Sequence, residues 1–117
     1  MIVPAQRLAI AIATQPMDFR CGHDAVAAIV QTRLRLDPHS GLMVVFHWKR
    51  KDRAEILIWD GSGLVLIYKR LESHCFSWPR IEEGVARISR AQFEALFDGL
   101  QWQRLDARQV VQPGAAA

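Results

Sequence analysis

The chain has 117 residues, 50% of them apolar and 23% charged, with 7 Gly and 5 Pro. That length suits a single domain, and a chain of this size buries roughly two-thirds of its unfolded surface, enough for a core without staples. The composition excludes a wholly disordered chain, a collagen, a disulfide-dense scaffold and a long coiled coil.

No apolar run approaches the roughly 20 residues of a membrane helix, so no membrane partner is expected. Residues 8–13 are too short for the apolar part of a secretory signal, and Thr14-Gln15-Pro16-Met17 is not a small-x-small cleavage site. A cytoplasmic protein is expected. Two cysteines, Cys21 and Cys75, agree with a reducing compartment. The formal net charge is only +3, but 12 of the 15 basic residues are arginine. Arginine stays charged and grips phosphate with two parallel bonds, which lysine cannot do.

Taken in order, residues 8–13 alternate weakly between large and small apolar side chains and predict a first strand, closed by Pro16. A helix follows, with Asp24 as its expected N-cap and Val26, Ile29, Val30, Arg33 and Leu34 at helical spacing. Asp37-Pro38-His39-Ser40-Gly41 is expected to end it. Three strands come next, over 42–48, 54–60 and 64–71. The loops between them, Lys49-Arg50-Lys51-Asp52-Arg53 and Gly61-Ser62-Gly63, have hairpin length and predict an antiparallel meander. The continuous apolar runs predict a sheet covered on both faces over part of its area.

Residues 73–79 read as extended or a short strand, and 84–89 as a last short strand. Ser89 caps a second helix over 90–97, stopped by Gly99. Leu100 and Trp102 are expected to pack back onto the sheet. The predicted class is α+β, an antiparallel β-meander sheet with two packed helices in the order β-α-β-β-β-(β)-α. One domain over 1–108 is expected, with a loose tail over 109–117 that has nothing to bury.

Catalytic signals are weak. The chain has no G-x-S-x-G, and its serines fall at turns or caps. Cys21 with His23, and His74 with Cys75, are the right ligand types for zinc, but structural sites space such pairs by about two to four residues. Here one residue or none intervenes, so packing is the better reading and no metal is expected. Glu82-Glu83 are adjacent acids in a loop, and no trio of acids forms a two-metal cutting site. Gly61-Ser62-Gly63 precedes a strand, so it cannot hold phosphate at a helix N-terminus. No catalytic residue, cofactor or small-molecule substrate is assigned.

The basic cluster is the strongest candidate. Lys49, Arg50, Lys51 and Arg53 crowd one loop, and hairpin 54–71 should return Lys69 and Arg70 to its side. Six positive charges at one edge could neutralise phosphates and release counterions. An exposed hairpin loop is also polar for solvation alone, and the two readings weigh about equally. Trp48 and Trp59 flank the region and could stack on bases, although their apolar neighbours favour a place in the core.

Several stretches together resemble one family. They are Met17-Asp18-Phe19-Arg20-Cys21-Gly22, Asp37-Pro38-His39-Ser40-Gly41, Asp52-Arg53, Trp59-Asp60-Gly61-Ser62-Gly63, Tyr68-Lys69-Arg70-Leu71-Glu72 and Phe76-Ser77-Trp78-Pro79. In this order they are similar to the TnpB accessory proteins, the second open reading frame of insertion-sequence-sixty-six type elements, over about residues 8–104. The RNA-guided nuclease also called TnpB is unrelated. The resemblance implies a small protein encoded beside a separate transposase, needed for efficient transposition and without catalytic activity of its own. The transposase is the implied partner, with DNA contact possible. A protein–protein adaptor without DNA contact is the alternative, and a small enzyme using Cys21 or Cys75 a weaker one.

Overall fold

The structure, a computed structural model, describes residues 9–17, 22–80, 85–103 and 105. The expected tail, Cys21 and the Glu82-Glu83 pair lie outside the described residues. The elements run β1 (Ile10–Ala13), α1 (His23–Thr32), β2 (Met43–His47), β3 (Arg53–Trp59), β4 (Leu64–Arg70), β5 (Val85–Ile88) and α2 (Arg90–Phe97). They form one five-stranded sheet in the order β4-β3-β2-β1-β5. The α+β class stands, and β2, β3 and β4 form the expected antiparallel meander.

The sheet as a whole is mixed rather than antiparallel. β1 pairs parallel with β2, from Ile10↔Met43 to Ile12↔Val45, and antiparallel with β5. The reason is the connection. α1 carries the chain back along the sheet, so β2 starts at the same end as β1. Local sequence carries no record of that return, whereas a short hairpin loop declares its own direction.

Alternation sorts the strand side chains onto two faces. Ala11, Ala13, Val44, Phe46 and Leu57 pack with Val26, Ala27 and Val30 of α1. Ile10, Ile12, Met43, Val45, Ile56 and Ile58 pack with Leu96 of α2, Phe76 and Trp102. Both faces are therefore covered over β1–β3, as the apolar runs predict. β4 and β5 are the edge strands of this sheet, and β4 stays half-buried for most of its length.

Local departures have local causes. Gly22, not Asp24, is the N-cap of α1, and Asp24 sits in the first turn, where its charge still suits the helix dipole. The helix stops at Thr32, before Asp37-Pro38. Arg35 takes a left-handed φ of 55°, which no helix can continue through. The amides of Leu34 and Leu36 turn back to the carbonyls of Ile29 and Val30. Residues 73–79 form no strand. They are held by anchors instead: Phe76 N and Trp78 Nε1 each donate to Lys51 O at 3.0 Å. Trp102 Nε1 donates to Ser77 O. Trp102 is buried as expected, but Leu100 is 57% exposed and does not return to the sheet. The bend at Gly99, φ 77°, carries it outward.

α2 matches its expected bounds. Ser89 Oγ accepts from Gln92 N at 3.1 Å, and the Gln92 side chain accepts from Ser89 N at 2.8 Å, a reciprocal cap worth about 1 kcal/mol.

Candidate nucleic-acid interface

Two hairpins build the basic edge. The β3–β4 turn is fixed by Asp60, whose carboxylate accepts from Ser62 N, Gly63 N and Ser62 Oγ at 3.0–3.1 Å. These bonds hold its pKa below the usual carboxylate value. Gly61 takes φ 101°, open to glycine at no steric cost. The turn sets a register in which Arg53 faces Arg70, Ala54 faces Lys69 and Glu55 faces Tyr68. Leu71 N then donates to Asp52 O at 2.9 Å, which ties the end of β4 to the β2–β3 loop. The expected meeting of 49–53 with 69–70 is thus present in the backbone.

The side chains divide. Lys49, Arg50 and Lys51 are exposed on the loop, and Arg70 is exposed at the end of β4. Arg50 lies 3.7 Å from Asp52 and Arg70 lies 3.3 Å from Glu72, both pairs open to solvent screening. The Arg53 side chain is 19% exposed, 3.6 Å from Asp52 and 5.4 Å from the Trp48 ring centroid. Lys69 points to the other face. Its Nζ donates to Phe97 O at 2.6 Å and sits 4.0 Å from the Phe97 ring centroid. It neutralises the C-terminal end of α2. Five cations therefore share the edge with two acids, Asp52 and Glu72, and the sixth belongs to the helix.

The tryptophans also separate. Trp59, half-buried, meets His39 edge-on at 5.2 Å at the far end of β3. Trp48, half-buried beside the basic loop, meets Tyr68 edge-on at 5.3 Å. Tyr68 is 49% exposed; in the sequence it lies within the stretch Tyr68-Lys69-Arg70-Leu71-Glu72, with no role assigned to it there. The signal for it is positional: alternation along β4 puts Leu64, Leu66, Tyr68 and Arg70 on the α1 face.

A shallow depression of ≈ 370 Å³ next to the loop is lined by Arg50, Lys51, Asp52, Glu72, His74 and Cys75, among others. Cys75 is exposed there. His74 turns its nitrogens elsewhere, Nδ1 to Ser73 Oγ at 3.1 Å and Nε2 to Gly99 O at 3.2 Å. The sequence neighbours His74 and Cys75 thus form no activated pair in this geometry. Among the described residues no three His, Cys, Asp or Glu side chains gather as a metal site, and Cys21 lies outside them.

Two buried polar residues escaped sequence reasoning. Glu55 is 3% exposed, its Oε2 has no hydrogen-bond partner among the described residues, and desolvation pushes its pKa up to about 7. A carboxylate inside the apolar stretch 54–58 was the available signal. His47 lies between Trp48 O, 3.1 Å from Nδ1, and Thr14 O, 3.4 Å from Nε2. It stacks on Trp78 at 4.5 Å, and burial lowers its pKa.

A five-stranded mixed sheet with a helix on each face and a cationic hairpin edge describes a small α+β protein. The sequence comparisons narrow that class. The family model described as IS66 Orf2 like protein matches residues 8–107, and the chain belongs to that family. It is 41% identical over 117 residues to uncharacterized protein y4jC of Sinorhizobium fredii (strain NBRC 101917 / NGR234), covering 100% of each chain. It is 36% identical over 103 residues to uncharacterized protein y4hO of the same strain, covering 88% of this chain and 90% of that one. No solved structure matches the chain. The family suggests an accessory role in transposition. Among the described residues no helix is long and apolar enough to cross a membrane.

Proposed function

We propose that this protein is a non-catalytic accessory factor of an insertion-sequence transposition system. It works beside the transposase of the same element and meets DNA, free or within the transposase complex, through the β2–β3 loop and the end of β4. The observation that carries this reading is the register Arg53↔Arg70, which gathers Lys49, Arg50, Lys51, Arg53 and Arg70 at one edge. Such an edge gains affinity by releasing counterions from phosphate, so binding weakens steeply with salt, by a log–log slope of about −0.9 per phosphate neutralised. Of the six candidate cations, Lys69 supports the edge from behind by fixing α2.

A fluorescence-anisotropy titration with element-end DNA over a salt series tests the reading. Charge reversal at Arg50, Lys51 and Arg53 together should weaken binding at least tenfold and flatten the salt slope. Unchanged affinity would overturn it.

One observation favours the adaptor as a second reading. β4 is an edge strand, and its half-buried apolar residues Leu64–Ile67 offer an open ladder to another chain. Co-purification with transposase that survives nuclease and high salt would support that mode. Loss at moderate salt would support the charged edge.

A further inference from the structure

Tyr68 and Leu100 are the exposed large apolar side chains among the described residues, and Tyr68 adjoins the basic edge, two residues before Arg70 on β4. Its ring is not loose. It is held edge-on against Trp48, 71° between planes, and Trp48 in turn lies under the Arg53 guanidinium. Arg70 stands two residues beyond Tyr68 on the same face and directly across from Arg53. Two like charges placed opposite each other in a ladder are unfavourable. Asp52 lies 3.6 Å from Arg53 and Glu72 3.3 Å from Arg70, so each guanidinium is flanked by one acid. The result is a fixed aromatic surface with a cationic rim.

Resting on the nucleic-acid reading above, we infer that Trp48, Tyr68, Arg53 and Arg70 form a platform for single-stranded DNA. Tyr68 stacks on an unpaired base, while Arg53 and Arg70 take the neighbouring phosphates. The choice of ligand follows from the chemistry. A duplex hides its base faces in the stack and offers phosphates and groove edges, which the loop lysines could meet unaided. An exposed ring beside guanidinium groups adds affinity only where a base face is free. The edge-on contact with Trp48 already fixes the Tyr68 ring, so stacking costs little further side-chain freedom. A purely apolar partner would take the two guanidinium groups and their acids out of water with no new charge or hydrogen-bond partner.

The test is anisotropy with a labelled oligo(dT) strand and a duplex of equal length, at matched salt, on the full chain. The single strand should bind more tightly than the duplex. Tyr68→Ala should weaken single-strand binding by about 5- to 100-fold, while duplex binding changes less than twofold. Tyr68→Phe should keep the parent affinity. Lys49→Glu with Lys51→Glu should weaken both. If the lysine variant weakens both but Tyr68→Ala changes neither, the platform is overturned and the charged edge stands. If the parent binds neither nucleic acid at low salt, both readings fall together. Should Tyr68→Ala misfold, photocrosslinking of the parent to a strand carrying iodouracil decides. Attachment at Tyr68 or Trp48 supports the platform, and attachment confined to the depression beside Cys75 overturns it.

Discussion

On the α2 side of the sheet, polar groups end on backbone carbonyls. His47 sits between those of Trp48 and Thr14, Lys69 reaches that of Phe97, and His74 reaches that of Gly99. The indoles of Trp78 and Trp102 do the same with Lys51 and Ser77. On the α1 side, near the same edge, Glu55 keeps a buried oxygen without a partner among the described residues, Tyr68 stands half in solvent and two arginines face each other. One side is closed chemistry that holds residues 73–80 and 97–103 in place. The other carries local conflict, and unresolved conflict in an otherwise consistent fold is where function is expected.

The largest expected effect breaks the comparison on its closed side. Phe76→Ala removes a ring that is 3% exposed and packs against the α2-face core. It should cost about 3–5 kcal/mol of stability by denaturant unfolding. Nucleic-acid affinity of the folded protein should stay within about twofold, because the basic loop is tied to β4 through backbone bonds. A large affinity loss in folded Phe76→Ala would erase the division between the sides.

Glu55 sharpens the comparison through pH. Its folded pKa of about 7 lies above the ordinary 4.5, so the folded state prefers the protonated acid. The stability this gives is full below 4.5 and is lost as pH rises through about 7. Glu55→Gln keeps the shape and removes the titration. It should match the parent near pH 4.5 and exceed it by about 1–3 kcal/mol above pH 7, read from unfolding curves at each pH. His47 has the opposite sign. Its folded pKa lies below 6.5, so the neutral ring is favoured, and its contribution is present above 6.5 and lost as pH falls below that value. A parent that holds or gains stability from pH 7 to 8, where the His47 contribution is complete, would mean that Glu55 is paired after all.

Much of this was legible before the fold. The meander followed from apolar runs separated by short polar loops, and α2 followed from the Ser89 cap, because both signals are local. The direction of β1 against β2 was not local, since it depends on where α1 returns the chain. The early end of α1 rests on one left-handed residue, Arg35, that no composition rule marks. For the site, sequence closeness grouped Lys69 with Arg70, although neighbours on a strand face opposite sides. The same alternation, applied once the hairpin register is known, separates the two and brings Tyr68 to the arginines. Register depends on a turn and on pairing across the sheet, and so lies one level above what a motif can display.

Lys69 and Lys51 give the smallest and sharpest contrast, since both are cations of the same candidate edge, one with its ammonium bonded to a carbonyl and the other exposed on the loop. Lys69→Met keeps the apolar stem over Phe97 but leaves the Phe97 carbonyl and the helix end without their cation. It should cost about 1–2 kcal/mol of stability and leave nucleic-acid affinity nearly unchanged. Lys51→Met should do the reverse. The Lys51 side chain is exposed, and its structural bonds to Phe76 and Trp78 are made by its backbone carbonyl, which the substitution keeps. Stability should therefore move by less than about 0.5 kcal/mol. Affinity should fall severalfold, with a salt slope shallower by roughly one phosphate. If instead Lys69→Met weakens binding at unchanged stability, its ammonium leaves the helix to meet the ligand, and the edge holds six cations rather than five.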